Sequence, residues 1–207
     1  MTDNNYKWGG SEISNTLKLL IPKINSFLNE FNPNKDLKIL DLGCGTGYLT
    51  NYLSQNNYLI VGSDGSKEGY NLAKKNYPNV EFLNYDSDSL IKNYKGHFDL
   101  IISTEVIEHV FSPKTLMKDI NSLLSKNGKL FISTPYHGYF KNLLLALSGK
   151  LDQHFTALWE FGHIKFFSIK TLSKLSLETN FKTVKYSGVG RFYPFWKSMY
   201  FIFEKND

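Results

Sequence analysis

The chain has little cysteine, little arginine and no long apolar run, and each shortage excludes something. Cys44 is the single cysteine in 207 residues. No internal disulfide can form from it, and no cysteine-based zinc site can be assembled. No apolar stretch is long enough to span a bilayer. The first residues show neither the apolar core nor the cleavage pattern of a secretory leader, so a cytoplasmic location is expected. Basic residues outnumber acidic ones by 24 to 19, a net charge of +5, yet Arg191 is the only arginine. The lysines are scattered, without the dense tract or stripe that marks a nucleic-acid partner. There is no internal repeat and no low-complexity tail. One domain over 1–207 is expected, long enough to enclose a substantial core.

What is present fits a globular α/β chain. The hydrophobic fraction is 42% and the charged fraction 21%, both ordinary. Aromatics reach 15% and concentrate after Phe131, where they either line a pocket or fill the core. An N-terminal helix is expected over 11–31, with Ile13, Leu17, Leu20, Ile21 and Ile24 on one face and Pro22 as a candidate kink or break. Trp8 is expected to anchor that helix, the alternative being a lid. Strands are expected at 37–42, 58–63, 80–84, 98–103, 129–134, 182–186 and 198–203. Helices are expected at 48–55, 67–76, 112–124, 139–147 and 168–180, with 88–94 and 152–161 as short helices or ordered loops. Strands alternating with helices imply right-handed crossovers and a doubly wound, mostly parallel sheet. The segment 136–162 interrupts that alternation as an insertion.

Two stretches carry chemistry. The first strand ends in Asp41-x-Gly43-x-Gly45-x-Gly47 and runs into a helix. Glycine permits the turn and leaves no Cβ between backbone and ligand, and the helix start offers unpaired N–H groups. The dinucleotide fingerprint G-x-G-x-x-G would need glycine where Tyr48 stands. Cys44 reads as a small packing residue of the turn. The second strand ends at Asp64, followed by Gly65 and Ser66. A carboxylate there can accept both hydroxyls of a ribose, and Ser66 is the N-cap of the next helix. Asp86 follows the third strand.

The second stretch, Thr104-Glu105-Val106-Ile107-Glu108-His109-Val110, follows the fourth strand, at the sheet edge where open α/β folds place ligands. Coiled as a helix, it would put Glu105, Glu108 and His109 on one face. His163, just before the next helix, is the candidate fourth ligand of a divalent metal site. Mostly oxygen donors favour Mg²⁺ or Mn²⁺.

The glycine turn resembles motif I of class I S-adenosylmethionine-dependent methyltransferases, and 61–66 resembles that family's apolar-G-x-D-x-S motif. The resemblance implies a seven-stranded Rossmann-like sheet with an antiparallel edge strand, over about 37–180. It implies that Asp41, Gly43, Gly45, Gly47, Asp64, Gly65, Asp86 and Thr104 hold S-adenosylmethionine. Asp41 would lie near the amino-acid end, Asp64 at the ribose and Asp86 near the adenine amino group. The Glu-x-x-Glu-His run with its distant histidine resembles two groups. One is the ubiquinone-biosynthesis O-methyltransferases, which act on lipid-tailed substrates. The other is the small-RNA 2′-O-methyltransferases, which hold a metal with two Glu and two His. The same run also occurs in metal-free relatives, where Glu105 lies near the cofactor and His109 merely packs.

The expected function is methyl transfer to a small-molecule acceptor, at a hydroxyl oxygen, with a divalent metal as an optional aid. Glu105, His109 and His154 are the catalytic candidates. His137 is an equal alternative to His154 as general base. The insertion's helix, with Leu143 to Leu147 between Lys141 and Lys150, is expected to lie buried over the pocket. Contact with a membrane surface is the alternative. Arg191 is a candidate partner for an acidic substrate group. The alternative functions are RNA 2′-O-methylation and non-catalytic cofactor binding.

Overall fold

A computed structural model describes residues 13–84, 86–155, 157–159 and 162–206; Trp8 and the start of the expected first helix lie outside them. The elements run α1 (Asn15–Phe31), β1 (Lys38–Leu42), α2 (Tyr48–Gln55), β2 (Leu59–Asp64), α3 (Lys67–Asn76), β3 (Phe82–Asn84), α4 (Ser87–Tyr94), β4 (Phe98–Thr104), α5 (Pro113–Leu123), β5 (Leu124–Pro135), α6 (Tyr139–Leu147), α7 (Leu151–Phe155), α8 (Ile169–Glu178), β6 (Phe181–Val189) and β7 (Ser198–Lys205). The seven strands lie in the order β3-β2-β1-β4-β5-β7-β6. The first five pair in parallel. β7 runs antiparallel to both β5 and β6, and β6 forms that edge.

Alternate strand residues face opposite sides, and each side is covered by helices. On one, Ile39, Leu100, Ile102 and Phe131 meet Leu20, Ile24, Phe27 and Leu28 of α1 and Leu49 and Leu53 of α2. On the other, Leu40, Ile101, Leu130 and Ile132 meet Leu116, Ile120 and Leu123 of α5 and Leu172 of α8. Each such side chain, fully buried, contributes about 1.5–3 kcal/mol. α1 starts where the Ser14 hydroxyl accepts from the Leu17 N–H. The helix continues through Pro22, which is exposed, to Phe31, so of the two expectations the break is not met.

Two further expectations are corrected. β5 begins at Leu124, directly after α5, earlier than 129. Its first residue already pairs with Phe98 before a register shift. α6 sits where the sequence puts it, but none of its residues is buried. Tyr139 and Leu147 are 75% and 76% exposed, so it does not lie buried over a pocket. Among the described residues no helix is long and apolar enough to cross a membrane.

Candidate functional site

The parallel strands all end at one edge of the sheet, and that edge collects the glycine turn, Asp64, the β4 exit and the α6–α7 insertion. Gly43, Gly45 and Gly47 have φ of 79°, 55° and 83°, the left-handed region that glycine enters without strain. Packing adds a second demand. A Cβ on Gly43 would lie 2.3 Å from a Val106 methyl, and one on Gly47 2.7 Å from the Phe82 ring. The turn after β1 therefore touches the segment after β4.

Hydrogen bonds hold the turn. The N–H groups of Gly43 and Cys44 both donate to the Ser63 carbonyl, at 2.7 and 3.0 Å. Gly45 N–H donates to Asp64 Oδ2 and Ser66 N–H to Oδ1, each at 2.8 Å. Two lone-pair positions of that carboxylate remain for a ligand's hydroxyls. Asp41 is buried; its Oδ2 accepts from Thr50 Oγ1 at 2.7 Å, and its Oδ1 has no partner. Burial pushes the Asp41 carboxyl up to about 7, and the charge of Asp64 adds to the rise. Burial also raises Asp64, against its two backbone bonds. The half-buried Cys44 thiol is pushed up by burial and by both aspartates, which makes it unreactive. Gly65 is exposed, and Ser66 caps α3 as expected, through the Gly69 N–H. Asp86 is exposed at the start of α4, its carboxylate accepting from Ser89 Oγ at 2.7 Å. Thr104 ends β4, half-buried.

The β4 exit is not the helix that would align Glu105 with Glu108 and His109. Glu105 has a φ of 56°, which breaks the helical phase, and one turn over 107–109 follows. Its N–H points at Ser133, toward both the carbonyl (3.1 Å) and the hydroxyl (3.2 Å). Its Oε1 accepts from the hydroxyls of Ser133 at 2.8 Å and Ser198 at 2.7 Å. Burial raises Glu105 despite those bonds. Among the described residues the donor atoms that converge, within 4.8 Å, are those of Glu108, His109 and His163; Glu105 is not in the group.

Glu108 is fully buried, and neither carboxylate oxygen has a hydrogen-bond partner. Its Oε1 lies 4.0 Å from Nε2 of both His109 and His163. His163 is brought there by backbone: the N–H groups of Ile164 and Lys165 donate to the Glu108 carbonyl at 2.9 and 3.0 Å. His109 Nδ1 lies 3.3 Å from the Gly162 carbonyl, and Trp159 sets its ring edge-on to both imidazoles. Burial lifts Glu108 well above the usual carboxylate range, with Glu105 adding. Burial, then His109 and His154, hold His163 down to about 4. An unpaired buried carboxylate is costly. A cation set among the Glu108 carboxylate and the imidazoles of His109 and His163 would give that carboxylate a partner.

The insertion adds two more imidazoles. His137 N–H donates to the Phe167 carbonyl, and its ring stacks on Phe155 and meets the edge of Phe166. His154 lies beside it, ring centroids 5.4 Å apart. His137 Nδ1 and His154 Nε2 are buried without partners. Burial, then Lys141 and the other histidines, lower His137 to about 4; burial, then Lys141, lower His154. Both are neutral at pH 7, the form that can take a proton. Sequence reasoning missed Ser133 and Ser198, and it named Trp159 only as one of the insertion's aromatics. Their roles arise from strand pairing and loop closure, which leave no local signal.

Known proteins are similar to this chain in sequence and in fold. The family model described as Methyltransferase domain matches residues 14–186. Ubiquinone biosynthesis O-methyltransferase of Pelagibacter ubique (strain HTCC1062) is 36% identical over 106 residues, covering 49% of this chain and 43% of that protein. The protein of the same name from Coxiella burnetii (strain RSA 493) is 29% identical over 146 residues, 69% of this chain and 62% of that one. The chain thus spans less than two thirds of either relative. In fold it is similar to a SAM-dependent methyltransferase from Methanosarcina mazei, with TM-score 0.67, 21% identity, and 89% and 97% of the two chains covered. It is also similar to magnesium protoporphyrin IX methyltransferase from Synechocystis PCC 6803 with bound SAH, with TM-score 0.67, 17% identity, and 96% and 90% covered.

Proposed function

The chain belongs to the methyltransferase-domain family, and from that premise we propose that it transfers the methyl group of S-adenosylmethionine to a hydroxyl oxygen of a small-molecule acceptor. One observation carries the donor: the left-handed glycine turn closed by the Asp64 carboxylate. In this reading Asp64, with Gly65 beside it, receives the ribose. Gly43, Gly45 and Gly47 admit the amino-acid end near Asp41. Asp86 faces the adenine, and Thr104 lies under the sulfur. The relatives named for O-methylation support an oxygen acceptor. Calorimetry with S-adenosylmethionine tests the donor: micromolar binding is expected, and no heat of binding to the wild type would overturn it.

On the acceptor side, Glu108, His109 and His163 would hold a divalent ion, which supplies a Lewis acid that orients a hydroxyl and lowers its pKa. Two imidazoles and one carboxylate suit Mn²⁺ or Zn²⁺ better than Mg²⁺, so this reading keeps Mn²⁺ from the expected pair, drops Mg²⁺ and adds Zn²⁺. Glu105, anchored by Ser133 and Ser198, keeps the β4 exit in place and stays outside the ligand set. The hydroxyl proton passes to a neutral imidazole, His154 or its neighbour His137, as oxygen gains the methyl and sulfur keeps the electron pair. Metal titration of dialysed protein tests the triad. Tight Mn²⁺ or Zn²⁺ binding that Glu108→Gln abolishes is expected; absence of binding would remove the metal from the mechanism.

The exposed α6 supports a peripheral lipid contact. It carries apolar side chains, no acid, and Lys141 within it. A second copy of the same cationic face would repel it, whereas an anionic lipid surface attracts it. RNA 2′-O-methylation is the weaker reading, because the two-Glu, two-His set it resembles is reduced to Glu108, His109 and His163, with Glu105 held elsewhere. That reading requires RNA affinity at low salt that falls steeply with added salt.

A further inference from the structure

Neither the cofactor nor the Glu108 triad accounts for the cations gathered above Glu105. Lys141, on α6, is drawn half inside by a bond from its Nζ to the Tyr136 carbonyl, at 2.7 Å. The Tyr136 N–H donates to the Lys197 carbonyl at 3.3 Å, and the Lys197 N–H donates to the Val189 carbonyl at 2.9 Å. At Gly190, with φ 90°, an added Cβ would lie 2.7 Å from the Lys197 Cβ. Arg191, the next residue, therefore leaves the turn beside Lys197. This chain of bonds brings three cations from two segments, α6 and the β6–β7 connection, to one corner of the ligand edge.

That corner has one acid, Glu105, against three cations. Among the described residues, none of the three is in an ion pair. Glu105 is the acid nearby, and its Oε1 is already taken by two serine hydroxyls. Burial and the charge of Arg191 lower Lys141 to about 8, with Glu105 opposing them only in part. A half-buried ammonium beside like charges gains most from an arriving anion. The chain's one arginine stands there, and its planar fork matches carboxylate and phosphate oxygens.

We propose that Lys141, Arg191 and Lys197 form a subsite for an anionic oxygen group, carboxylate or phosphate, beside Glu105 at the ligand edge of the sheet. It rests on the methyl-transfer reading only for what carries the anion. A carboxylate would belong to the acceptor and fix its hydroxyl in register. A phosphate would belong to the lipid surface that α6 meets.

The test compares 3,4-dihydroxybenzoate with catechol, which differ by one carboxylate, by calorimetry on the full chain with and without S-adenosylhomocysteine. In parallel, binding to phosphatidylglycerol and phosphatidylcholine vesicles is measured. The variant is Arg191→Gln, whose side chain is exposed. A carboxylate subsite predicts about tenfold tighter binding of the benzoate at low salt, shrinking with added salt and lost in the variant. A phosphate subsite predicts a preference for phosphatidylglycerol vesicles that the variant loses while benzoate and catechol stay equal. If neither preference exists in the wild type, or neither depends on Arg191, the proposal is overturned. Failure of the wild type to bind S-adenosylhomocysteine would count instead against the methyl-transfer reading, since both comparisons are repeated on the unloaded chain.

Discussion

At the end of β1 the backbone is fastened at nearly every step. Gly43 and Cys44 donate to Ser63, Gly45 to Asp64, and Gly47 to the Cys44 carbonyl. At the end of β5 the chain enters α6, a nine-residue helix with no buried side chain. His137 before that helix and His154 after it each have one buried ring nitrogen without a partner. The turn is complete before any ligand arrives. The acceptor side carries aligned but unsatisfied groups, and Glu108, on the segment after β4, is the extreme case, with neither carboxylate oxygen hydrogen-bonded. Buried groups left without partners lower stability, so the second region has given up stability for sites that a ligand completes.

The comparison breaks most visibly in its pH dependence. Asp41 is raised to about 7, whereas the unfolded chain ionises near 4. The folded state then holds the extra proton between those values, so stability present at low pH is lost as pH rises towards 7. The loss is on the order of a few kcal/mol. Urea titrations from pH 4 to 8 should show that decline in the wild type and a flatter profile in Asp41→Asn. An identical profile would mean the carboxylate is not buried as described.

Asp64→Ala removes the acceptor of two backbone N–H bonds. It should weaken S-adenosylmethionine binding by about 100-fold, two charge-assisted bonds being worth at least that. Unchanged affinity by calorimetry would separate Asp64 from the cofactor. Gly43→Ala must fit a Cβ against Val106 at a left-handed φ. About 1–3 kcal/mol of stability should be lost in urea melts, and a neutral result would deny the contact between the two halves of the site. Leu147→Ser, on the exposed face of α6, should change stability by less than about 0.5 kcal/mol while reducing retention on anionic vesicles. A large loss of stability there would show α6 to be packed after all.

Much of the cofactor half was legible in the sequence because its signals are local. Glycine spacing, an acid at the end of each of two strands and Ser66 as a cap specify a turn within a few residues. α2, α3 and α6 begin and end where periodicity and caps put them. The acceptor half was legible only as a list of candidates. Glu105 was grouped with Glu108 and His109 by helical spacing. The left-handed φ at Glu105 and the serines of β5 and β7 pulled it into other company. His163 was found from its motif, but its place beside Glu108 depends on backbone bonds from Ile164 and Lys165 that no spacing rule supplies. The burial of α6 was misjudged because an apolar run reads the same whether protein or something else covers it.

The sequence by itself determined the order of strands and helices, the glycine turn and the identity of the acids at the strand ends. These follow from short-range sterics, periodicity and capping. Only the tertiary structure decided which of those acids are satisfied. It also decided that Glu108 meets two histidines, that three cations share a corner, and that α6 faces outward. Those facts depend on which distant strand or loop closes over each group, and pairing across the sheet edge leaves no mark in any one stretch of chain.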